Sequence, residues 1–80
     1  MLTAYITAAL RNASYEILPE DEGYFGSIAG LEGVWAQAKN LEDCREELRE
    51  VLEDWILLGL QRGHTLPVID RVSLAAKEVA

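Results

Sequence analysis

The sequence predicts a small α+β fold: a short N-terminal helix, a three-stranded antiparallel meander, one long amphipathic helix and a possible short C-terminal strand. Between residues 13 and 39, three short segments with strand-like patterns are separated by acidic or glycine-containing turns. Between residues 41 and 62, apolar residues recur every three or four positions, the period of a helix that lies on a core. Eighty residues are enough for one domain only, so residues 1–80 are taken as a single unit.

The first element is predicted as a helix over residues 3–12. Thr3 has the side chain of a helix N-cap, the stretch that follows it is rich in alanine, and Asn12 suits the helix end. A strand that begins near Ala4 is the alternative. The apolar residues expected on one stripe of this helix are Leu2, Ile6, Ala9 and Leu10.

Three strands follow, predicted over residues 13–18, 24–29 and 34–39. In the first strand Ala13, Tyr15 and Ile17 alternate with polar residues and should face the core. In the third strand Trp35 faces the side opposite to its neighbours in the chain. If the long helix covers one side of the sheet, the first helix must cover the other, or an apolar face is left exposed as an interface.

The long helix is predicted over residues 41–62, with Asn40 as its N-cap and Asp43 at the third helical position, a variant of the capping box. Its apolar stripe is expected to contain Leu41, Cys44, Leu48, Val51, Trp55 and Leu58. In the second half the stripe widens beyond one face, so the excess should contact the first helix or a second subunit. The residues predicted for such an oligomer interface are Trp35, Trp55, Ile56, Leu57 and Leu58.

Residues 64–80 are predicted as an extended tail or strand. The helical conformation is disfavoured at Leu66 because a proline follows it. Val68 to Leu74 has the pattern of a short strand, and residues 75–80 are expected to fray. The sequence carries no secretory signal pattern and no apolar run of membrane-spanning length, so a cytoplasmic protein is expected.

The formal net charge is −7, from 14 acidic and 7 basic residues. Nucleic acids repel such a surface, which argues against direct binding of DNA or RNA by this chain alone. A basic protein partner is the natural alternative, although a charge of this size also serves solubility alone. A chain of this length has a marginal core, and oligomerisation is one way to stabilise it.

Several segments, in this order, resemble the HicB family of antitoxins: Glu22–Gly26, Leu31–Gly33, Ala38–Glu47, and Gly63 with Leu66 and Pro67. The family pattern has an acidic-glycine-tyrosine hairpin, a leucine-x-glycine turn, a threonine-leucine-glutamate-glutamate-alanine helix start and a glycine-x-x-leucine-proline segment. Asn40 stands at the position of that threonine, Asp43 at an acidic position, and Cys44 at the alanine. The resemblance extends from about Tyr15 to Pro67.

The resemblance implies a partial RNase H-like fold, found as a homodimer or higher oligomer, that binds and silences HicA-type toxins. These toxins are small basic ribonucleases that act on messenger RNA. Many family members also carry a C-terminal DNA-binding domain. Because 13 residues follow Pro67, too few for a helix-turn-helix, the chain is expected to be a short form without that domain.

No catalytic residue, metal site or cofactor is predicted, so the chain is not expected to be an enzyme. The carboxylates are not placed on several core strands, as a two-metal nuclease site would require. His64, the single histidine, follows a helix end without a nucleophile motif nearby, and Cys44 is expected to be a small buried apolar residue.

Two acidic runs, at residues 20–22 and 42–54, are the candidate partner-binding surface, where carboxylates would occupy a basic RNA groove of the toxin. Their alternative interpretation is an ordinary solvated hairpin tip and helix face. The residues predicted for partner binding are Glu20, Asp21, Glu22, Tyr24, Glu46, Glu50, Glu53 and Asp54. Neutralisation of a HicA-like toxin is the first hypothesis, an orphan self-assembling scaffold or small-ligand-binding domain is the second, and a residual nuclease ranks last.

Overall fold

A computed structural model describes residues 2–71 of the chain. The elements are helix α1 (Leu2–Arg11), strands β1 (Ala13–Ile17), β2 (Tyr24–Ile28) and β3 (Trp35–Ala38), and helix α2 (Leu41–Gln61). The predicted α+β fold, with a helix, an antiparallel meander and a long helix, is confirmed. Each strand is one or two residues shorter than its prediction, because the flanking residues belong to the turns.

The sheet has the order β1-β2-β3, and both neighbouring pairs are antiparallel. Tyr15 pairs with Gly26, and Gly26 pairs with Ala36, so these three residues form one row across the face that α2 covers. A Cβ atom on Gly26 would lie 2.9 Å from the Tyr15 ring and 3.2 Å from the Cys44 sulfur. Glycine is therefore needed here because the aromatic ring and the thiol fill the space above it.

Helix α2 begins as predicted. Asn40 is its N-cap, and its side-chain oxygen accepts a hydrogen bond of 2.8 Å from the backbone N–H of Asp43. The Asp43 carboxylate in turn accepts a hydrogen bond of 3.0 Å from the Asn40 side-chain amide. In the usual capping box this return bond goes to the backbone of the cap residue, so Asn40 and Asp43 form a side-chain variant of it.

Of the predicted apolar stripe of α2, Cys44 and Leu48 are fully buried. Leu41 and Leu58 are exposed, whereas Val51 and Trp55 are half-buried against the core. The predicted positions follow a 3.5-residue repeat, from which a straight helix with 3.6 residues per turn drifts steadily. The residues of α2 that are buried are Cys44, Leu48, Leu52, Ile56 and Gly59.

Helix α1 packs against α2 and buries two of its four predicted residues, Ile6 and Ala9. Tyr5 and Ala8 are buried beside Ile6 and Ala9, while Leu2 is exposed and Leu10 is only half-buried. Tyr5 is fully buried, and its hydroxyl donates a 2.6 Å hydrogen bond to the carbonyl oxygen of Pro67. The buried polar group thus has a partner that no local pattern could indicate.

Because α1 packs beside α2, no helix or strand among residues 2–71 covers the second face of the sheet. Trp35 lies on that face and is 53% exposed. Ile17, predicted to face the core, is 78% exposed, since it lies at the end of an edge strand. Two alternatives were predicted for the second face of the sheet, and the one in which α1 covers this face is therefore wrong.

After α2 the chain is extended around Pro67, with Thr65 and Ile69 each making a single bridge. Asp70 and Arg71 have positive φ values and form a turn, and the Asp70 carboxylate accepts a 3.0 Å hydrogen bond from the Asn12 side chain. The strand predicted over residues 68–74 thus does not continue through residue 71, and its remainder, with the predicted tail at 75–80, lies outside the described residues. Neither helix of the described range is long and apolar enough to cross a membrane.

Candidate protein-binding surface

The β1–β2 hairpin ends in a tight acidic turn. Glu20 and Asp21, the two central residues of the turn, have φ values of 57° and 58°, and Glu22 donates a backbone hydrogen bond of 3.2 Å to the Pro19 carbonyl. Positive φ at both central positions matches the right-handed twist of the strands that such turns connect. The acidic side chains at residues 20–22 are exposed at this tip.

Gly23 holds the hairpin tip against the end of β3. Its φ is 99°, and a Cβ atom at this position would overlap the carbonyl oxygen of Ala38. The Gln37 side-chain amide donates a 3.4 Å hydrogen bond to the carbonyl oxygen of Glu22. The tip of the first hairpin is thereby joined to the edge strand β3.

One side of α2 faces the same edge. Asp43, Glu46, Glu47 and Glu50 line a groove of about 270 Å³ together with Gln37 and Ala38. An adjoining depression of about 460 Å³ is lined by Glu22, Gln37, Ala38 and Lys39. The two share Gln37 and Ala38, so they form one continuous surface. We call this surface the acidic groove, with its carboxylates at Glu22, Asp43, Glu46, Glu47 and Glu50.

The acidic groove brings together three of the residues predicted for partner binding, namely Glu22, Glu46 and Glu50. The fold places Glu20 and Asp21 beyond it at the hairpin tip, and Asp54 is exposed farther along α2. Tyr24 packs against the core from the α2 side of the sheet, and its carbonyl oxygen accepts a 3.6 Å hydrogen bond from the Cys44 thiol.

Glu53 does not line the acidic groove, although it follows Glu50 by three residues. It accepts a 3.1 Å hydrogen bond from Arg49, four residues earlier, and lines a space shared with α1. Asp43 and Glu47 belong to the groove but were not singled out by the sequence. Asp43 lies three residues before Glu46, and Glu47 lies three residues before Glu50. This spacing was the available signal, because residues three or four apart are neighbours on a helix surface.

A family model described as UPF0150-like matches residues 4–67, which is most of the chain. The chain belongs to the UPF0150-like family. This family is associated with HicB-like antitoxins. The match includes α1, which the sequence resemblance did not reach, and ends at Pro67, the residue that Tyr5 contacts.

The structure of this UPF0150-like chain is similar to the crystal structure of TTHA0281 from Thermus thermophilus. The two share 42% sequence identity with a TM-score of 0.86, and the alignment covers 91% of this chain and 96% of TTHA0281. No curated protein matches the chain. The agreement in length and fold indicates that TTHA0281 and this UPF0150-like chain share the whole architecture.

The residues predicted for an oligomer interface do not form one patch. Trp35 lies on the open face of the sheet, whereas the other four follow one another along α2. Ile56 is 2% exposed and belongs to the core, so its place in an exposed interface was wrong. Leu57 is 56% exposed, and it lines an apolar groove of about 280 Å³ between the helices with Leu2, Ile6, Glu53, Ile56 and Leu60.

Cys44 is fully buried under the sheet, as expected for a free cysteine inside the apolar stripe. Burial raises the pKa of its thiol, and the nearby negative charge of Glu47 raises it further. Its proton is directed at the carbonyl oxygens of Tyr24 and Ala36. A thiol held in its protonated form is a poor nucleophile, so this cysteine has a packing role.

His64 is exposed just after α2, where its backbone N–H donates a 2.9 Å hydrogen bond to the Gly59 carbonyl. This bond satisfies one of the last carbonyl groups of the helix. Within the range from residue 2 to residue 71, no three His, Cys, Asp or Glu side chains are grouped closely enough to hold a metal ion.

Proposed function

We propose that this chain is a HicB-like antitoxin that binds and neutralises a basic HicA-type mRNA interferase by occluding its RNA-binding active site. The proposal is supported by membership of a family associated with HicB-like antitoxins and by the net charge of −7. Its central observation is the acidic groove, where five carboxylates from the hairpin tip and α2 lie along one edge of the sheet.

The physical argument is electrostatic mimicry of RNA. A ribonuclease that holds messenger RNA needs Lys and Arg side chains for the phosphates. The spaced carboxylates of the acidic groove offer such side chains an alternative set of anionic partners. Exposed ion pairs contribute only about 0.2–1 kcal/mol each. The groove would therefore raise the association rate and select a basic partner, while apolar contacts would supply most of the affinity.

We propose further that the chain acts by stoichiometric binding, without catalysis, and that it works as a homodimer or higher oligomer in the cytoplasm. The apolar groove between α1 and α2 is a suitable surface for self-association, because Glu53 at its edge is paired with Arg49. We expect the chain alone to bind neither DNA nor RNA, since carboxylates outnumber basic side chains by two to one.

The experiment is co-expression of the tagged chain with the product of the adjacent gene, followed by affinity capture and sizing of the complex. We expect capture of a small basic protein whose RNase activity and growth arrest are absent in the complex. Charge reversal by Glu47→Lys with Glu50→Lys should release the partner. The matched control, Glu53→Lys, changes a carboxylate of α2 that lies outside the acidic groove, and this variant should retain the partner.

A second candidate function is an orphan self-assembling scaffold or small-ligand-binding domain without a toxin. The apolar groove between the helices favours it, since Leu57 is exposed there and no residue from 2 to 71 fills the space. Under this alternative, sizing yields a homo-oligomer only, and no product of a neighbouring gene is silenced. Leu57→Ser would then dissociate the oligomer, whereas the double reversal in the acidic groove would have no effect.

A further inference from the structure

The open face of the sheet presents two stacked aromatic rings beside one carboxylate. The rings of Phe25 and Trp35 lie 5.8 Å apart between centroids with an angle of 23° between their planes. Glu16 is the cross-strand partner of Phe25, and Ser27 is the partner of Trp35. The side chains that alternate onto this face are Ser14, Glu16, Phe25, Ser27, Trp35 and Gln37.

No cation of residues 2–71 lies over the Phe25 or Trp35 ring. Within the described part of the chain, the cation that approaches an aromatic ring is Arg45, which lies 6.0 Å from the Tyr15 ring on the opposite face of the sheet. Lys39 follows the end of β3, two residues beyond Gln37, and borders the depression next to Glu22. Among residues 2–71, the open face thus combines an exposed indole, a half-buried phenyl ring and the Glu16 carboxylate, which forms no ion pair with these residues.

We propose that this face is the receptor for an arginine side chain of the basic partner protein, with the guanidinium stacked on Trp35 and Phe25 and paired with Glu16. The proposal rests on the proposed function and deepens it. Aromatic faces attract cations, most strongly in Trp. Arginine fits better than lysine because its planar guanidinium stacks on a ring and binds a carboxylate through two parallel hydrogen bonds.

A second copy of the chain fits this face less well. With strands about 4.8 Å apart and about 3.4 Å per residue, two strands of five residues and one of four present only about 230 Å². A stable interface needs roughly 800 Å² from each partner. A two-fold contact across the face would also add a second Glu16 carboxylate to a surface without a cation. Stacked nucleic-acid bases are disfavoured too, because their phosphates require basic side chains near the aromatic rings.

The test is an NMR titration of the full ¹⁵N-labelled chain with a synthetic peptide of alternating glycine and arginine. We expect saturable shifts of the Trp35 indole N–H and of the β2 and β3 amides, reduced about fivefold in affinity for a matched lysine peptide. Trp35→Leu should weaken arginine-peptide binding by about fivefold or more, and Glu16→Gln by a similar factor. Trp55→Phe, on the helix side, is the control and should leave the affinity unchanged.

Several results would overturn the proposal. One is shifts restricted to the acidic groove together with an unchanged affinity of Trp35→Leu, which would place the arginine on the α2 side. Others are the absence of a saturable shift on the open face, concentration-dependent shifts there without peptide, and preferential binding of a single-stranded RNA oligonucleotide. The unchanged α2 amide spectrum of Trp35→Leu would show that this variant is folded.

Capture of the adjacent gene's product and binding of the arginine peptide test the antitoxin function and the arginine receptor separately. If the wild-type chain and Trp35→Leu capture the product of the adjacent gene with equal affinity, the open face is not its arginine receptor and the antitoxin function stands. If the wild-type chain captures no protein but binds the arginine peptide at Trp35, the receptor stands and the antitoxin function fails.

Discussion

The hydroxyl of Tyr5 donates a hydrogen bond of 2.6 Å to the carbonyl oxygen of Pro67, which joins α1 to a segment 62 positions later in the chain. We predict that Tyr5→Phe lowers the free energy of unfolding by about 1 kcal/mol, the usual net value of such a bond. Urea denaturation followed by circular dichroism measures this change. Tyr24→Phe is the control, since the Tyr24 hydroxyl makes no hydrogen bond with the described residues; an equal loss in both variants would contradict the prediction.

The hairpin tip provides a prediction in the stabilising direction. Glu20 has a φ of 57°, a conformation that costs an ordinary side chain about 1 kcal/mol and that asparagine tolerates better. Glu20→Asn should therefore raise the free energy of unfolding by about 0.5–1 kcal/mol. Glu20→Gln removes the same charge without relieving the backbone, so thermal unfolding of the two variants separates the contributions. Equal melting temperatures would show that the backbone is not strained there.

Gly23 and Gly30 both have positive φ, but their surroundings differ. A Cβ atom on Gly23 would overlap the Ala38 carbonyl, whereas one on Gly30 would meet no atom within 4 Å. We expect Gly30→Ala to cost about 1 kcal/mol from the backbone conformation alone, and Gly23→Ala about 3 kcal/mol because β3 must also move. Equilibrium denaturation measures both, and similar costs would show that the tip does not depend on its contact with β3.

The acidic groove predicts a difference between two carboxylates three residues apart. Glu50→Gln and Glu53→Gln each remove one negative charge, but only Glu50 belongs to the groove. With the partner immobilised, Glu50→Gln should lower the association rate severalfold at low salt and flatten its salt dependence, while Glu53→Gln should change it little. Equal effects of both variants would mean that net charge, and not the geometry of the groove, controls association.

We predict that the buried thiol of Cys44 makes the free energy of unfolding decrease at alkaline pH. Because burial raises its pKa in the folded state above the ordinary 9.0, the folded chain holds this proton more tightly than the unfolded chain does. Its contribution is fully present below about pH 9 and decreases as the pH rises through the folded-state pKa. Urea denaturation under reducing conditions between pH 7 and 9.5 should detect the decline, and Cys44→Ala should flatten it. A decline of equal slope in that variant would assign the effect to other groups.

The order of the elements and the cap of α2 could be predicted from the sequence because both depend on local rules. Asn40 and Asp43 need only each other, and the strands are delimited by Pro19 and the glycine turns. Local patterns do not indicate which element covers a given face. Tyr5 is buried because of Pro67, Ile56 because α1 packs on that side of α2, and Trp35 is exposed because α1 does not cross the sheet.

Part of the candidate site could also be predicted from the sequence. The two acidic runs were visible in the sequence, but their placement along one edge of the sheet depends on the packing of Gly23 against Ala38. The contact between Gly23 and Ala38 brings the β1–β2 turn to the end of β3, which lies beyond a second turn in the chain. The spacing of residues in the sequence does not indicate this contact. Glu53 was assigned to the same surface as Glu50 because the two are three residues apart in one acidic run, but Glu53 lines the groove that α1 forms with α2 and Glu50 lines the groove beside β3.

The bond between Tyr5 and Pro67 also has a consequence for biosynthesis. Translation proceeds at about 5–20 residues per second, so Pro67 is added about 3–12 s after Tyr5. During that interval α1 has neither α2 nor its carbonyl acceptor to pack on, and an isolated helix of 10 residues is marginal in water. The docking of α1 therefore cannot be completed before Pro67 has been added, and until then the phenol of Tyr5 lacks its hydrogen-bond acceptor.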